Sequence, residues 1–327
     1  MTIRNKIILI FGGTGSLGYE LNTRYHKENI IYNFSRDECK HWEMKLYFQQ
    51  HSNIRFIIGN VADKDIVGSA ILRVKPDIII IASAMKHIDQ CELNTSESLK
   101  TNVLGTKHIS EVIEIHQYVL TNLETVIFVS SDKACSPINH YGLCKAMSEN
   151  IIVEKAFYIP TIRFINVRYG NVLNSRGSII PLLHKIGNDP LVSSFKLTHE
   201  NMTRFVMTLS QSVDLIEYAI LNGESGDTII PRLISMKVKD LMELFREKYN
   251  KDIVITGLRS GEKLVESLIN EQQSTRMIKN DTGDYTSIKS VLKYPDIINM
   301  DMLDYNSHLN PLSKDELNAY LVSLNLL

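Results

Sequence analysis

At 327 residues, 44% of them hydrophobic, the chain has enough apolar material to bury a full core, in one large domain or two intimately joined ones. Its net charge is −1, with lysines and arginines spread rather than blocked, which argues against nucleic acid or a membrane surface as a partner. The four cysteines (Cys39, Cys91, Cys135 and Cys144) lack metal-ligand spacing and are too few for a disulfide framework, so a reducing, cytoplasmic setting without a bound metal is expected.

The first apolar run, Ile7 to Phe11, is too short for a signal-peptide core and leads straight into glycines. It reads as a strand, Lys6–Phe11, the first of a series continuing at Ile30–Ser35, Ile54–Ile58, Asp77–Ala82 and Thr125–Val129. The isoleucine run within the fourth is far below membrane-spanning length. Between the strands, the amphipathic stretches Leu17–Glu28, Asp37–Gln49 and Ser96–His116 supply helices. This alternation predicts an α/β fold, a Rossmann-like doubly wound parallel sheet with helices on both faces. Beyond about residue 170 the rhythm becomes irregular, with turn signals across Gly170–Asn201 and another helix at Met236–Tyr249. A smaller C-terminal domain joined across a cleft is the simplest account.

At the end of the first strand, Gly12-Gly13-Thr14-Gly15-Ser16-Leu17-Gly18 opens a helix. Glycines at 12, 15 and 18 permit a tight turn, close approach to a pyrophosphate and helix–sheet packing, and the helix N-terminus offers free N–H groups to an anion. After the second strand, where an acidic residue would hold the ribose 2′-hydroxyl of NAD, the chain has Ser35-Arg36-Asp37. The planar fork of Arg36 suits a 2′-phosphate, so NADP is expected over NAD. At the exit of the fourth strand, Ala82, Ser83 and Ala84 are small enough for a cofactor ribose and nicotinamide to lie close. Asn102 fits a structural polar anchor.

The fifth strand ends in Ser130-Ser131-Asp132-Lys133, at the carboxyl edge where open α/β sheets place their ligands. Tyr141 and Lys145 follow one helical turn apart, so their side chains share a face. An acid, an amine, a phenol and a second amine thus converge on one edge.

A Gly-x-x-Gly-x-x-Gly loop with a later Tyr-x-x-x-Lys resembles the short-chain dehydrogenases/reductases, and the longer chain resembles their extended branch, which modifies nucleotide sugars. More narrowly, it resembles the soluble UDP-N-acetylglucosamine 4,6-dehydratases of bacterial glycan biosynthesis. Ser35-Arg36-Asp37-Glu38, Ala84-Met85-Lys86-His87, Lys100-Thr101-Asn102-Val103 and Ser131-Asp132-Lys133-Ala134 carry the likeness in the first half. Arg168 to Val172, Ser175 to Pro181, Met202 to Phe205 and Arg259 to Lys263 extend it past residue 260. The chain departs from the pattern at four places: Phe11 and Ser131 stand where Thr is usual, Asn60 where an Asp accepts from adenine, and Ile81 where His is usual.

The resemblance implies an NADP-binding domain over residues 1–170, to which some later segments return, and a mainly UDP-sugar-binding domain over 171–327. It implies a homo-oligomer and a tightly bound NADP regenerated in each cycle. C4 of the sugar is oxidised, water leaves across C5 and C6, and hydride returns to C6. Tyr141 would accept the C4 hydroxyl proton, Lys145 hold the nicotinamide ribose, and Ser131 bond the C4 oxygen. Asp132 would protonate the departing C6 hydroxyl and Lys133 take the C5 proton. Asn60 and Val61 fall at the adenine. Asn171, Val172, Arg204 and Arg259 fall at the diphosphate and uridine, Lys86 near the sugar or diphosphate, and Glu262 at a ribose hydroxyl. Related dTDP-glucose dehydratases carry Glu in place of Lys133, so Asp132-Lys133 points to the N-acetylglucosamine group. A short chain with Tyr141, where some relatives have Met, points to inversion at C5 and a UDP-2-acetamido-2,6-dideoxy-β-L-arabino-hex-4-ulose product. The alternatives are a UDP-sugar 4-epimerase, a C5-retaining dehydratase and a non-catalytic NADP-sensing regulator.

Overall fold

A computed structural model describes residues 3–294, 296 and 303–327. The apolar runs form β1 (Ile7–Phe11), β2 (Ile30–Ser35), β3 (Ile54–Ile58), β4 (Ile78–Ile81) and β5 (Thr125–Val129), and Arg163–Val167 adds β6. All six lie parallel in the order β3-β2-β1-β4-β5-β6. Every residue of β4 and β5 is buried, which is why these strands read as unbroken apolar runs rather than alternating ones. Val67, Ile71, Ile109, Ile113 and Ile152 cover one face from the helices Lys64–Val74, Gly105–His116 and His140–Tyr158. Leu21 and Tyr25 of α1 (Ser16–Tyr25), with Val213, Ile216 and Ile220 of the helix Leu209–Asn222, cover the other. The chain is therefore doubly wound, and its strand order reverses between β1 and β4, where such sheets open a crevice.

The far edge of the sheet is mixed rather than wholly parallel. Thr228–Pro231 runs parallel beside β6, followed by the antiparallel strands Tyr285–Ile288 and Met277–Lys279, giving nine strands. A second sheet of four short strands orders Pro311–Leu312, Ile234–Lys237, Thr203–Met207 and Asn171–Val172. Leu183, Leu241, Phe245 and Leu317 pack on it from three further helices. The helix expected from Met236 begins at Val238, because Met236 and Lys237 pair with Arg204 and Thr203 in this sheet. The helix expected over Ser96–His116 is interrupted: Thr95–Leu99 and Gly105–His116 are α-helical, and Lys100–Leu104 between them is a π-turn. Among the described residues no helix is long and apolar enough to cross a membrane.

Candidate active site

The glycine loop sits at the β1/β4 crevice. Gly12 has a φ of 90°, and a Cβ there would stand 2.7 Å from the backbone nitrogen of Ser83 at the exit of β4. A Cβ on Gly18 would fall 1.9 Å from the Gly13 carbonyl oxygen, so that position fixes how closely α1 approaches the loop. No side chain caps the start of α1, which leaves its first N–H groups for an anion. Ala82 and Ser83 are half-buried and Ala84 is exposed beside the loop; Ser16 and Leu17 are half-buried on α1. The residues present therefore fit a dinucleotide: a cradle without room for side chains, an uncapped helix start and a small-residue wall.

Behind the loop, the Thr14 and Ser35 hydroxyls lie 2.8 Å apart, and Ser35 Oγ lies 2.8 Å from Nε2 of His41. His41 escaped the sequence reading. Burial pushes its pKa down, so a neutral ring fixes the Ser35 hydroxyl at the end of β2. Arg36, next in the chain, is exposed. The Asn60 side-chain oxygen accepts from the Ala62 N–H at 3.1 Å, shaping the turn after β3, and Val61 is buried there.

At the end of β5, the Ser131 hydroxyl donates to Asp132 Oδ1 at 2.8 Å. Lys133 Nζ donates to the same oxygen at 3.0 Å and to Asn171 Oδ1 at 3.2 Å. Asp132 is fully buried and its Oδ2 has no hydrogen-bond partner. Asn139 caps the helix His140–Tyr158 by accepting from the Gly142 N–H at 2.8 Å, which fixes the rotation that aims Tyr141 and Lys145 inward. Both are buried. Lys145 Nζ donates to the Val129 carbonyl at 2.7 Å and lies 4.5 Å from the centre of the Phe128 ring. Burial lowers its pKa to about 8. Burial, reinforced by Tyr169 and Asp132, raises that of Tyr141, and its hydrogen bond with Ser131 opposes the rise. The protein residues by themselves thus hold the phenol protonated; a nearby cationic ring would pull the other way.

Asn171, expected at the diphosphate, accepts from the Lys133 amine. Val172 is half-buried in the strand beside Met207. Arg204 is buried and donates to the carbonyls of Thr203, Lys263 and Leu264, so it clamps the segment that follows Glu262. Arg259 and Glu262 face each other, with Nε and Oε1 3.6 Å apart. Lys86 donates to the Arg176 carbonyl at 2.7 Å, and the Arg176 N–H donates to Ser16 Oγ at 2.9 Å. A strap from the C-terminal half therefore crosses the start of α1. Asn102 is an anchor: its amide exchanges hydrogen bonds with both backbone groups of Met85.

Ser131, Asp132, Lys133, Tyr141 and Asn171 thus come together, while Arg259 and Glu262 sit on a loop whose following segment Arg204 holds from the strand Thr203–Met207. Two members of the neighbourhood were not singled out from sequence. Glu266 is 1% exposed, with Oε1 4.0 Å from Lys133 Nζ and Oε2 3.7 Å from Lys263 Nζ. A lone acid within Leu264-Val265-Glu266-Ser267-Leu268-Ile269 was the available signal. Arg168, 1% exposed, donates to both Glu149 oxygens at 3.0 and 2.6 Å, to the Leu268 carbonyl and to Gln273.

Residues 8–289 match the family described as polysaccharide biosynthesis protein. The chain is 36% identical over 297 residues to a UDP-glucose 4-epimerase of Rickettsia typhi, covering 87% of this chain and 83% of that one. An uncharacterised membrane protein of Methanocaldococcus jannaschii is 37% identical over 284 residues, covering 83% and 82%. The solved structure of Pen from Bacillus thuringiensis superposes over 100% of both chains with a TM-score of 0.90 at 31% identity. With the glycine cradle, the Tyr141–Lys145 helix and a family match spanning most of the chain, the protein belongs to the polysaccharide biosynthesis protein family.

Proposed function

We propose that this protein is a cytoplasmic, homo-oligomeric lyase, a UDP-N-acetylglucosamine 4,6-dehydratase that keeps NADP bound through its cycle and inverts C5. The observation that carries this reading is the Lys133–Asp132 pair at the end of β5, beside Ser131 and Tyr141. Epimerisation at C4 needs one acid–base pair; elimination needs a second to move the C5 proton and the C6 hydroxyl.

The C5 hydrogen of a hexose is not acidic until C4 is a ketone. NADP would be held at its pyrophosphate by the Gly12–Gly18 loop and at the 2′-phosphate of its adenosine ribose by Ser35 and Arg36, and its nicotinamide would supply hydride removal at C4 and return at C6. Tyr141 accepts the C4 hydroxyl proton, with Ser131 bonded to the same oxygen and Lys145 beneath. Lys133 then takes the C5 proton while Asp132 gives one to the departing C6 hydroxyl. Each positioned proton carrier is worth roughly 10²–10⁴-fold. Arg259 and Glu262 lie on the loop assigned to the uridine diphosphate.

A second reading, UDP-sugar 4-epimerase, is favoured by the name of the Rickettsia relative. One incubation separates the two. Purified protein with UDP-N-acetylglucosamine in D₂O is expected to give a new C6 methyl signal by NMR, with solvent deuterium at C5 and couplings of the L-arabino isomer. A product that keeps its C6 hydroxyl and differs at C4 establishes the epimerase instead. The nucleotide released on denaturing the same sample is expected to be NADP; recovery of NAD removes the role given to Arg36.

A further inference from the structure

Two buried carboxylates face Lys133, and the proposed reaction uses one. Asp132 bonds the Lys133 amine at 3.0 Å and sits between it and the Ser131 hydroxyl. Glu266 comes from the C-terminal half, immediately before the strand Ser267–Ile269, and its Oε1 lies 4.0 Å from the same amine. Its place is fixed by its own backbone: the Glu266 N–H donates to Ser307 Oγ, and the Ser307 N–H donates to the Glu266 carbonyl. Glu266 is as buried as any core leucine, yet Oε2 has no hydrogen-bond partner and only a 3.7 Å approach from Lys263. Lys263 spends its amine on the Cys135 carbonyl at 2.8 Å, and Arg204 spends its guanidinium on backbone carbonyls. A buried carboxylate with an unmatched oxygen is costly, and a proton on that oxygen removes the cost.

We infer that Glu266 is a positioning residue that takes the surplus proton of Lys133, leaving the amine neutral at the moment it must remove the C5 proton. This inference rests on the dehydratase reading. In the transfer, one N–H bond of the Lys133 ammonium breaks and one O–H bond forms on Glu266, so a buried ion pair becomes a buried neutral pair. The Lys133 lone pair then forms a bond to the C5 proton. The C5–H electrons become the C5–C6 double bond, and the C6–O electrons leave with the hydroxyl, which takes the Asp132 proton and departs as water. Neutralising two desolvated charges at once is favourable where neither has water to return to. Burial raises the pKa of Glu266, and the charges of Lys133, Arg204 and Lys263 oppose the rise. An acceptor inside the protein makes the base available without loss of a proton to solvent.

The test compares wild type, Glu266→Gln and Glu266→Asp, each with bound nucleotide. Reduced-nicotinamide absorbance on adding UDP-N-acetylglucosamine reads C4 oxidation, and the methyl signal reads elimination. The Gln variant is expected to form the reduced nicotinamide but to lose roughly 10²-fold in kcat for elimination, with KM within about twofold. Its elimination rate should climb roughly tenfold per pH unit from about pH 6.5 to about 8.5, where the wild type is flat, because its Lys133 must lose a proton to water. The Asp variant should restore part of the flat profile. A Gln variant with an unchanged pH profile overturns the inference, and so does one that no longer forms reduced nicotinamide, since the residue then merely supports the fold. A wild type that yields no methyl product fails at the earlier step and takes the dehydratase reading with it.

Discussion

Folding takes Lys145 out of water and gives it the Val129 carbonyl and the Phe128 ring in exchange. The trade disfavours its charge, which is why its pKa falls from 10.5 to about 8. Between those two values the unfolded chain binds more protons than the folded one, so this residue makes stability rise with pH through that window. Without nucleotide, the melting temperature of the wild type relative to Lys145→Met is therefore expected to climb from pH 8 to pH 10.5. Tyr141 acts in the opposite sense at the top of this range and is common to both proteins, so it cancels. Parallel melting curves would show that Lys145 keeps its charge in the fold. Tyr141, Lys145, Asp132 and Lys133 could be found in the sequence because their spacing along one strand end and one helical turn fixes their direction. Glu266 could not, because its burial is created by Ser307, Lys133 and Lys263 meeting it from distant parts of the chain.

Among the elements, the loop and α1 behave as one piece. Gly18→Ala sets a methyl group against the Gly13 carbonyl, a backbone atom that cannot swing aside. The expected outcome is a loss of about 1–3 kcal/mol in urea unfolding together with weaker dinucleotide binding in a fluorescence titration. Unchanged values in both would mean the helix start can shift outward. Strands β1, β4 and β5 were legible because burial on both faces demands unbroken apolar runs, while β2 and β3, nearer the sheet edge, were legible from short β-branched and aromatic runs. β6 is less so, since Asn166 interrupts Arg163-Phe164-Ile165-Asn166-Val167; the fold gives its side-chain NH2 the Glu149 carbonyl and the Thr228 hydroxyl. The strands added beyond it pair residues such as Thr228 and Ile288, and no local pattern announces a partner that far along the chain.

Across the whole molecule, Arg168 is where the nine-stranded sheet, the Tyr141 helix and the 264–273 segment are tied. It stands after β6, grips Glu149 on the helix His140–Tyr158, and reaches Leu268 and Gln273 near Glu266. Arg168→Met leaves the Glu149 carboxylate buried without a counter-charge and is expected to cost about 3–5 kcal/mol in denaturant unfolding. The pair Arg168→Met with Glu149→Leu should recover most of that stability while still misplacing the 264–273 segment, so turnover stays slow in a well-folded protein. Full recovery of both would reduce Arg168 to an ordinary core ion pair. The Asn139 amide adds a second tie, donating to the Gly261 carbonyl at 2.8 Å while capping the same helix. A shift of the loop around Gly261 would thereby pull on the helix that carries Tyr141.

The π-turn at Lys100–Leu104 has an evolutionary reading. The Gly105 N–H bonds the Lys100 carbonyl five residues back, one more than an α-helix allows. Such a turn holds one residue more than an α-turn spanning the same height. Losing one residue here with the π-turn kept would rotate everything beyond it by about 100° and swing Ile109 and Ile113 off the sheet. Keeping those two seated would instead release the Asn102 clasp on Met85 and the Ser148 hydroxyl's bond to the Asn102 carbonyl. Descendants of this chain can therefore exchange residue types across the segment far more freely than they can change its length.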